Sequence, residues 1–169
     1  SVSFASKGTV SIYSGGNGIG SDVNQLNQPE GIAIDNNGHV YIADYNNDRI
    51  QKTDNSTQVM STFIENISNP VDIHIDSLGN IFILENNGTV KKYDSLGAFI
   101  ADVSNGTDTD AINMDIDSDG NIYTITRYGT KVWKTSSNNS TASVLFEDSE
   151  FHFPNSISVD YLGNVYVSG

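Results

Sequence analysis

The chain contains no cysteine. That one absence removes disulfides, thiolate metal sites and thiol nucleophiles. Proline is scarce, at three residues, so neither a collagen-like chain nor proline-rich disorder fits. Positive charge is scarce too: 8 Lys and Arg stand against 21 Asp and Glu, a net charge of -13. Nucleic acids and anionic lipid surfaces need basic patches that release counterions, and this chain has none; Arg49 is the sole arginine before residue 100. Nucleic-acid binding is therefore not expected. No apolar run approaches the roughly 18 residues of a spanning helix, so membrane insertion is not expected either. No stretch of about a dozen residues carries a helical apolar period.

What is abundant is Asn, Ser, Gly, Asp and Thr, the mix of many short strands joined by turns. The 169 residues suffice for one domain, 1–169, with its own core. Within it one unit recurs, starting near residues 29, 70, 111 and 154. Asp35, Asp76, Asp117 and Asp160 are equivalent, at spacings of 41, 41 and 43 residues, and Gly38, Gly79, Gly120 and Gly163 repeat those spacings. Each unit opens with an alternating strand such as Ile32–Ile34. An Asp-x-x-Gly turn follows, with Gly supplying positive φ and Asp accepting the turn's N–H groups. A second strand (Val40–Ala43), a third (Arg49–Lys52 or Thr89–Tyr93) and a looser fourth complete a meander. The fourths are Val59–Ile64, Ala98–Val103 and Ser143–Phe146.

Four-stranded units at this period predict an all-β fold, a β-propeller of four-stranded antiparallel blades. The fourth copy stops after its second strand. Gly8-Thr9-Val10 resembles Gly88-Thr89-Val90, which places a third strand at the other end of the chain. The terminal strands are thus expected to share one blade. The alternative is an open fragment of a longer propeller, and Val2–Ala5, which duplicates a second strand, favours that alternative.

Gln28 to Asp35, followed by Val40 to Ile50, resembles an NHL repeat, and Ser14 to Asn27 resembles the glycine-rich lead-in of bacterial NHL proteins. The Asn47-Asp48-Arg49 turn is clear in the first copy alone; later copies carry Glu85-Asn86-Asn87-Gly88 and Arg127-Tyr128-Gly129. The resemblance implies six blades, where about four repeats are present. It also implies a choice of functions: protein-binding platforms, RNA-binding domains, extracellular sensors, and a metal-dependent lyase branch with related lactonases.

Candidate chemistry lies on the first strands. Asp72 and His74 of the second copy, and Asn113 and Asp115 of the third, share one face by the period of two. Two readings stand: a divalent metal site, calcium for carboxylates and amide or zinc or manganese with His74, and a water-filled channel whose polar groups bond to one another. His39 is expected to be a turn residue, and His152 to sit in an aromatic cluster. Asp117-Ser118-Asp119-Gly120 resembles the start of a calcium loop but has Tyr128 where the closing Glu belongs, so a hairpin turn is expected. Sequons at Asn55, Asn66, Asn87, Asn105, Asn138 and Asn139 fall in turns or at strand ends, where a glycan would fit.

The expected function is a non-enzymatic, extracellular or cell-surface binding or scaffold module that needs no cofactor. Its partners would be protein or glycan, and self-association into an array or filament is one form of it. The alternative is a metal-dependent lyase or lactonase-like hydrolase using Asp72, His74 and Asp115.

Overall fold

The computed structural model describes residues 2–6, 9–14, 18–104, 110–137, 141–149 and 153–169, the first two ranges by backbone alone. Among the described residues sixteen strands are formed. A hairpin of β1 (Val2–Ser6) and β2 (Thr9–Ser14) comes first. The first blade comprises β3 (Pro29–Ile34), β4 (Val40–Asp44), β5 (Arg49–Thr53) and β6 (Met60–Glu65). The second comprises β7 (Pro70–Ile75), β8 (Ile81–Glu85), β9 (Val90–Tyr93) and β10 (Phe99–Ser104). The third comprises β11 (Ala111–Ile116), β12 (Ile122–Thr126), β13 (Lys131–Thr135) and β14 (Ala142–Glu147). A final pair consists of β15 (Ser156–Val159) and β16 (Val165–Ser168).

Each blade is an antiparallel meander in chain order, and the first strands β3, β7, β11 and β15 lie side by side as an inner row. The expected second, third and fourth strands all form, within a residue or so of the sequence reading. The shared terminal blade does not. The pairs β1–β2 and β15–β16 are separate two-stranded sheets, so the arrangement is open. The reason lies in the ladder: β2 would have to present its second-strand edge to β16, and β1 already occupies that edge.

Every residue of β4 and β8 is buried because both blade faces are covered. Tyr41 and Ala43 face the second blade, packing with Ile73, Ile81 and Ile83. Val40 and Ile42 face the other way, under Leu26 of the lead-in loop. The seam between the second and third blades holds Val71, Phe82, Leu84 and Met114. A smaller cluster, Tyr123, Ile125, Val132 and Ile157, joins the third blade to β15. Each fully buried Ile or Leu is worth about 1.5–3 kcal/mol against exposure.

The Asp-x-x-Gly turns form as expected. Gly38, Gly79, Gly120 and Gly163 have φ of 80–83°, a region costly for residues with a Cβ. Asp35 Oδ1 accepts the N–H groups of Asn37 and His39, both at 2.9 Å. Asp76, Asp117 and Asp160 repeat this pair of bonds. Three copies add a lock, in which Tyr41, Tyr123 and Tyr166 donate their hydroxyls to the turn carboxylates of Asp35, Asp117 and Asp160. Burial alone would push the Asp117 carboxyl up. The bonds from Asn121, Tyr123 and Asp119 outweigh it and hold the group below its ordinary value.

Candidate functional site

The inner row carries the polar face that the period of two implies. Asp72, on β7, reaches across to β11: its Oδ2 accepts Asn113 Nδ2 at 2.7 Å and the Met114 N–H at 3.0 Å. Asn113 repeats the reach one blade on. Its Oδ1 accepts the Ile157 N–H at 2.8 Å and the Ser156 hydroxyl at 3.2 Å. Asp115 does the same two residues later, accepting the Val159 N–H at 2.6 Å and the Ser158 hydroxyl at 3.2 Å. His74 Nδ1 lies 3.6 Å from Asp115 Oδ1, on the open side of the row.

The structure therefore brings Asp72, His74, Asn113 and Asp115 together, as the sequence implies. Side-chain oxygens of Asp72, Asn113 and Asp115 are engaged by backbone and side-chain donors of the next inner strand. Asp72 is 8% exposed. Burial pushes its carboxyl above the ordinary range, against the pull of the Met114 N–H and of His74. Among the described residues no three His, Cys, Asp or Glu side chains group as metal ligands. Of the four, His74 and Asp115 are the pair that retains access to the open side.

The first copy places Gly31 where the others carry Asp72, Asn113 or Ser156. A Cβ there would lie 2.7 Å from Asp72 Cα and 3.0 Å from its Oδ1. The inner strand of the second blade packs directly over this glycine, so the contact is with backbone that cannot swing away. Gly31→Ala is expected to lower stability by about 1–3 kcal/mol. Chemical denaturation measures it, and a loss under about 0.5 kcal/mol would show that the seam yields.

A second polar cluster lies at the start of the first blade. Asp44, fully buried, receives the Asn27 N–H at 2.7 Å on Oδ1. Its Oδ2 receives Asn47 Nδ2 at 2.8 Å and Arg49 Nε at 2.7 Å. The Arg49 guanidinium spends its remaining donors on the carbonyls of Ser21, Asp22 and Gln25, at 2.8–3.0 Å. Gln51 adds a bond from Nε2 to the Val23 carbonyl at 2.9 Å. The lead-in loop is thus clamped onto β5. In the second blade Glu85 takes over part of this task, accepting the Ser68 N–H at 3.0 Å. This role of Arg49 was not apparent in the sequence, because its partners are carbonyls more than twenty residues upstream.

The remaining candidates lie apart from the inner row. His39 sits in the first turn, where its Nδ1 accepts the Asn55 N–H. Asn55, Asn66 and Asn87 are exposed. Asn105, Asn138, Asn139 and His152 lie outside the described residues.

Successive four-stranded antiparallel blades, stitched along their first strands, define a β-propeller. Residues 26–52 of the first blade, which contain the Asp44–Arg49 clamp, match the NHL repeat family. No curated protein matches the sequence. Among solved structures, a streptogramin B lyase superposes with a TM-score of 0.65 at 18% identity, covering 83% of this chain and 47% of the lyase. A nidogen/laminin complex gives 0.68 at 19% identity, covering 79% and 53%. The extracellular domain of a one-component system from B. thetaiotaomicron gives 0.67 at 17% identity, covering 83% and 21%. The chain spans about half the length of the first two. At such identities these likenesses establish the fold alone. Among the described residues no helix is long and apolar enough to cross a membrane.

Proposed function

We propose that this protein is a non-enzymatic binding module, an extracellular or cell-surface NHL-type propeller that presents its turn face to a protein partner. One observation carries this reading: the inner-row carboxylates and amide are engaged by Met114, Ile157 and Val159 N–H groups. Groups that hold blades together in this way are poorly placed to move protons or release product. The fold likeness to a nidogen/laminin complex and to the extracellular domain of a one-component system supports the same direction. Glycan partners and self-association through the free edges of the two hairpins are finer forms of the reading. Light scattering over a range of concentrations tests the latter, and a strict monomer counts against it.

A metal-dependent lyase or lactonase-like hydrolase is the rival, favoured by the accessible His74–Asp115 pair and the lyase fold likeness. Elemental analysis of native protein separates the two. A stoichiometric divalent metal that is lost in Asp115→Asn overturns the binding reading; substoichiometric metal in both proteins supports it.

A further inference from the structure

At each completed seam, the fourth strand of one blade is covered by the third strand of the next. Ile64, Ser104 and Phe146 hold one equivalent place on the fourth strands, opposite Ile50, Val90 and Val132 of the third. Ile64 is 6% exposed and lies in the cluster that includes Tyr93 of the second blade. Ser104 is 2% exposed, and its Oγ lies 2.8 Å from Thr135 Oγ1 of the third blade. Tyr93 and Thr135 are themselves equivalent, opposite Ile81 and Ile122. Phe146 is 48% exposed. With Val132, Leu145, Val165 and Val167 it lines an apolar cleft of about 300 Å³, and every residue of β14 after Ala142 is exposed. Val165 stands where Ile81 and Ile122 stand in the repeat. A strand paired along β16 would therefore bring its residue opposite Val165 onto Phe146, as Tyr93 meets Ile64 and Thr135 meets Ser104.

The edge for such a strand is open. β16 pairs with β15 alone, and β1 pairs with β2 alone. The Asn164 carbonyl accepts the Asp160 N–H at 3.0 Å and so faces β15. By the alternation of an extended chain, the backbone groups of Val165 and Val167 point the other way. Neither β1 nor β16 contains a charged residue or a proline, the usual guards of a sheet edge. In chain order β1–β2 precede a first strand, as β5–β6 precede β7 and β9–β10 precede β11. That order gives β1 the third place in a blade and β2 the fourth; β15 and β16 hold the first and second.

We infer that the β1–β2 hairpin of a second copy of this chain completes the blade begun by β15–β16, with β1 paired along β16 and covering the cleft at Phe146. Within one molecule the two pairs stand in separate sheets. Two copies joined twice, head to tail, have three complete blades each and two shared ones. That makes eight blades, within the range of about four to eight that propellers span. A head-to-tail contact of this kind is heterologous, and it leaves no free edge once the ring closes. The inference rests on the binding reading above, in its self-associating form, and assigns the strands that carry it.

Size-exclusion chromatography with light scattering, over a range of concentrations, should show a species of twice 18.3 kDa. Each copy carries a net charge of -13, so the dimer should tighten as salt is added. Val167→Pro removes a donor on the outer edge of β16 and leaves the ladder to β15 in place. Leu145→Lys puts a charge in the apolar cleft. Each should weaken the dimer about tenfold or more. Ala5→Pro should do the same from the β1 end. A mixture of Val167→Pro and Ala5→Pro should dimerise where neither does alone, because each keeps the end that the other lacks. Far-UV circular dichroism and thermal midpoints confirm that the variants are folded. Folded variants that dimerise as tightly as the parent, or a mixture that stays monomeric, overturn the inference. A parent that is strictly monomeric overturns it too and leaves the rest of the binding reading standing. Metal-dependent turnover by the dimer would instead overturn the binding reading.

Discussion

Replacing Arg49 with methionine should destabilise the protein by about 3–5 kcal/mol, as expected when one partner of a buried ion pair is removed. Asp44 has no exposed surface, and Arg49 has 9%. Without the guanidinium the carboxylate keeps the Asn27 N–H and Asn47 amide but loses its one cation. The carbonyls of Ser21, Asp22 and Gln25 lose their donors together, so the lead-in loop should loosen from β5 and uncover Leu26. Arg49→Lys should recover little, because a single ammonium cannot reproduce a planar fork with several fixed donors. Urea denaturation gives the size of the loss. Asp44→Asn/Arg49→Met should be less destabilised than the sum of the single changes, because the uncompensated charge is gone. A loss below about 1 kcal/mol for Arg49→Met would mean that the pair behaves as a solvent-screened one.

The second large effect is expected at Asp72, and its two variants should diverge. Asp72→Ala removes the oxygen that accepts both Asn113 Nδ2 and the Met114 N–H, leaving two donors without that acceptor in a buried seam. The cost should be about 2–4 kcal/mol. Asp72→Asn keeps an oxygen where Oδ2 stands and removes a charge that burial penalises, so it should fall within about 1 kcal/mol of the parent at neutral pH. The pH dependence follows from the raised carboxyl value. A group whose folded value lies above its unfolded one, near 3.9 for Asp, binds more protons in the folded state. Its contribution to stability therefore falls as pH rises from the unfolded value through the folded one. Any advantage of Asp72→Asn should be present at neutral pH and shrink as pH is lowered through that window. Thermal midpoints of both variants from pH 7 to pH 4 check this. An Asn variant as damaged as the Ala variant would show that the charge itself is needed at the seam.

Much of the fold was legible because a blade is a local object. The Asp-x-x-Gly turn, its alternating flanks and its spacing near 41 residues specify strands whose partners are neighbours in sequence. The four turn aspartates bond as their sequence implies. The closure of the ends was not legible. Val10 has the phase of a third strand, yet β1 beside it occupies the edge that closure would need. The inner row was legible as a face and not as a bond pattern. Period two puts Asp72 and His74 on one side, but nothing in a linear sequence says that the Met114 N–H will sit 3.0 Å from Asp72 Oδ2. That distance is set by how closely two blades pack, and Gly31 is one residue that allows it. The start of each blade was also hidden. Gln28, Asn69, Asp110 and Phe153 all adopt positive φ, and three of them precede a proline, where extended backbone is the usual expectation.

The bonds along the inner row have a direction. In each case described, the acceptor is a side chain of the earlier strand pair and the donors, backbone N–H groups joined by side-chain amide or hydroxyl groups, belong to the later one. The second and third blades thus each present acceptors spaced to match the first strand that follows. The inner row therefore has a polarity: the second copy reads onto the third and the third onto the final pair, while Gly31 leaves the first copy without such an acceptor.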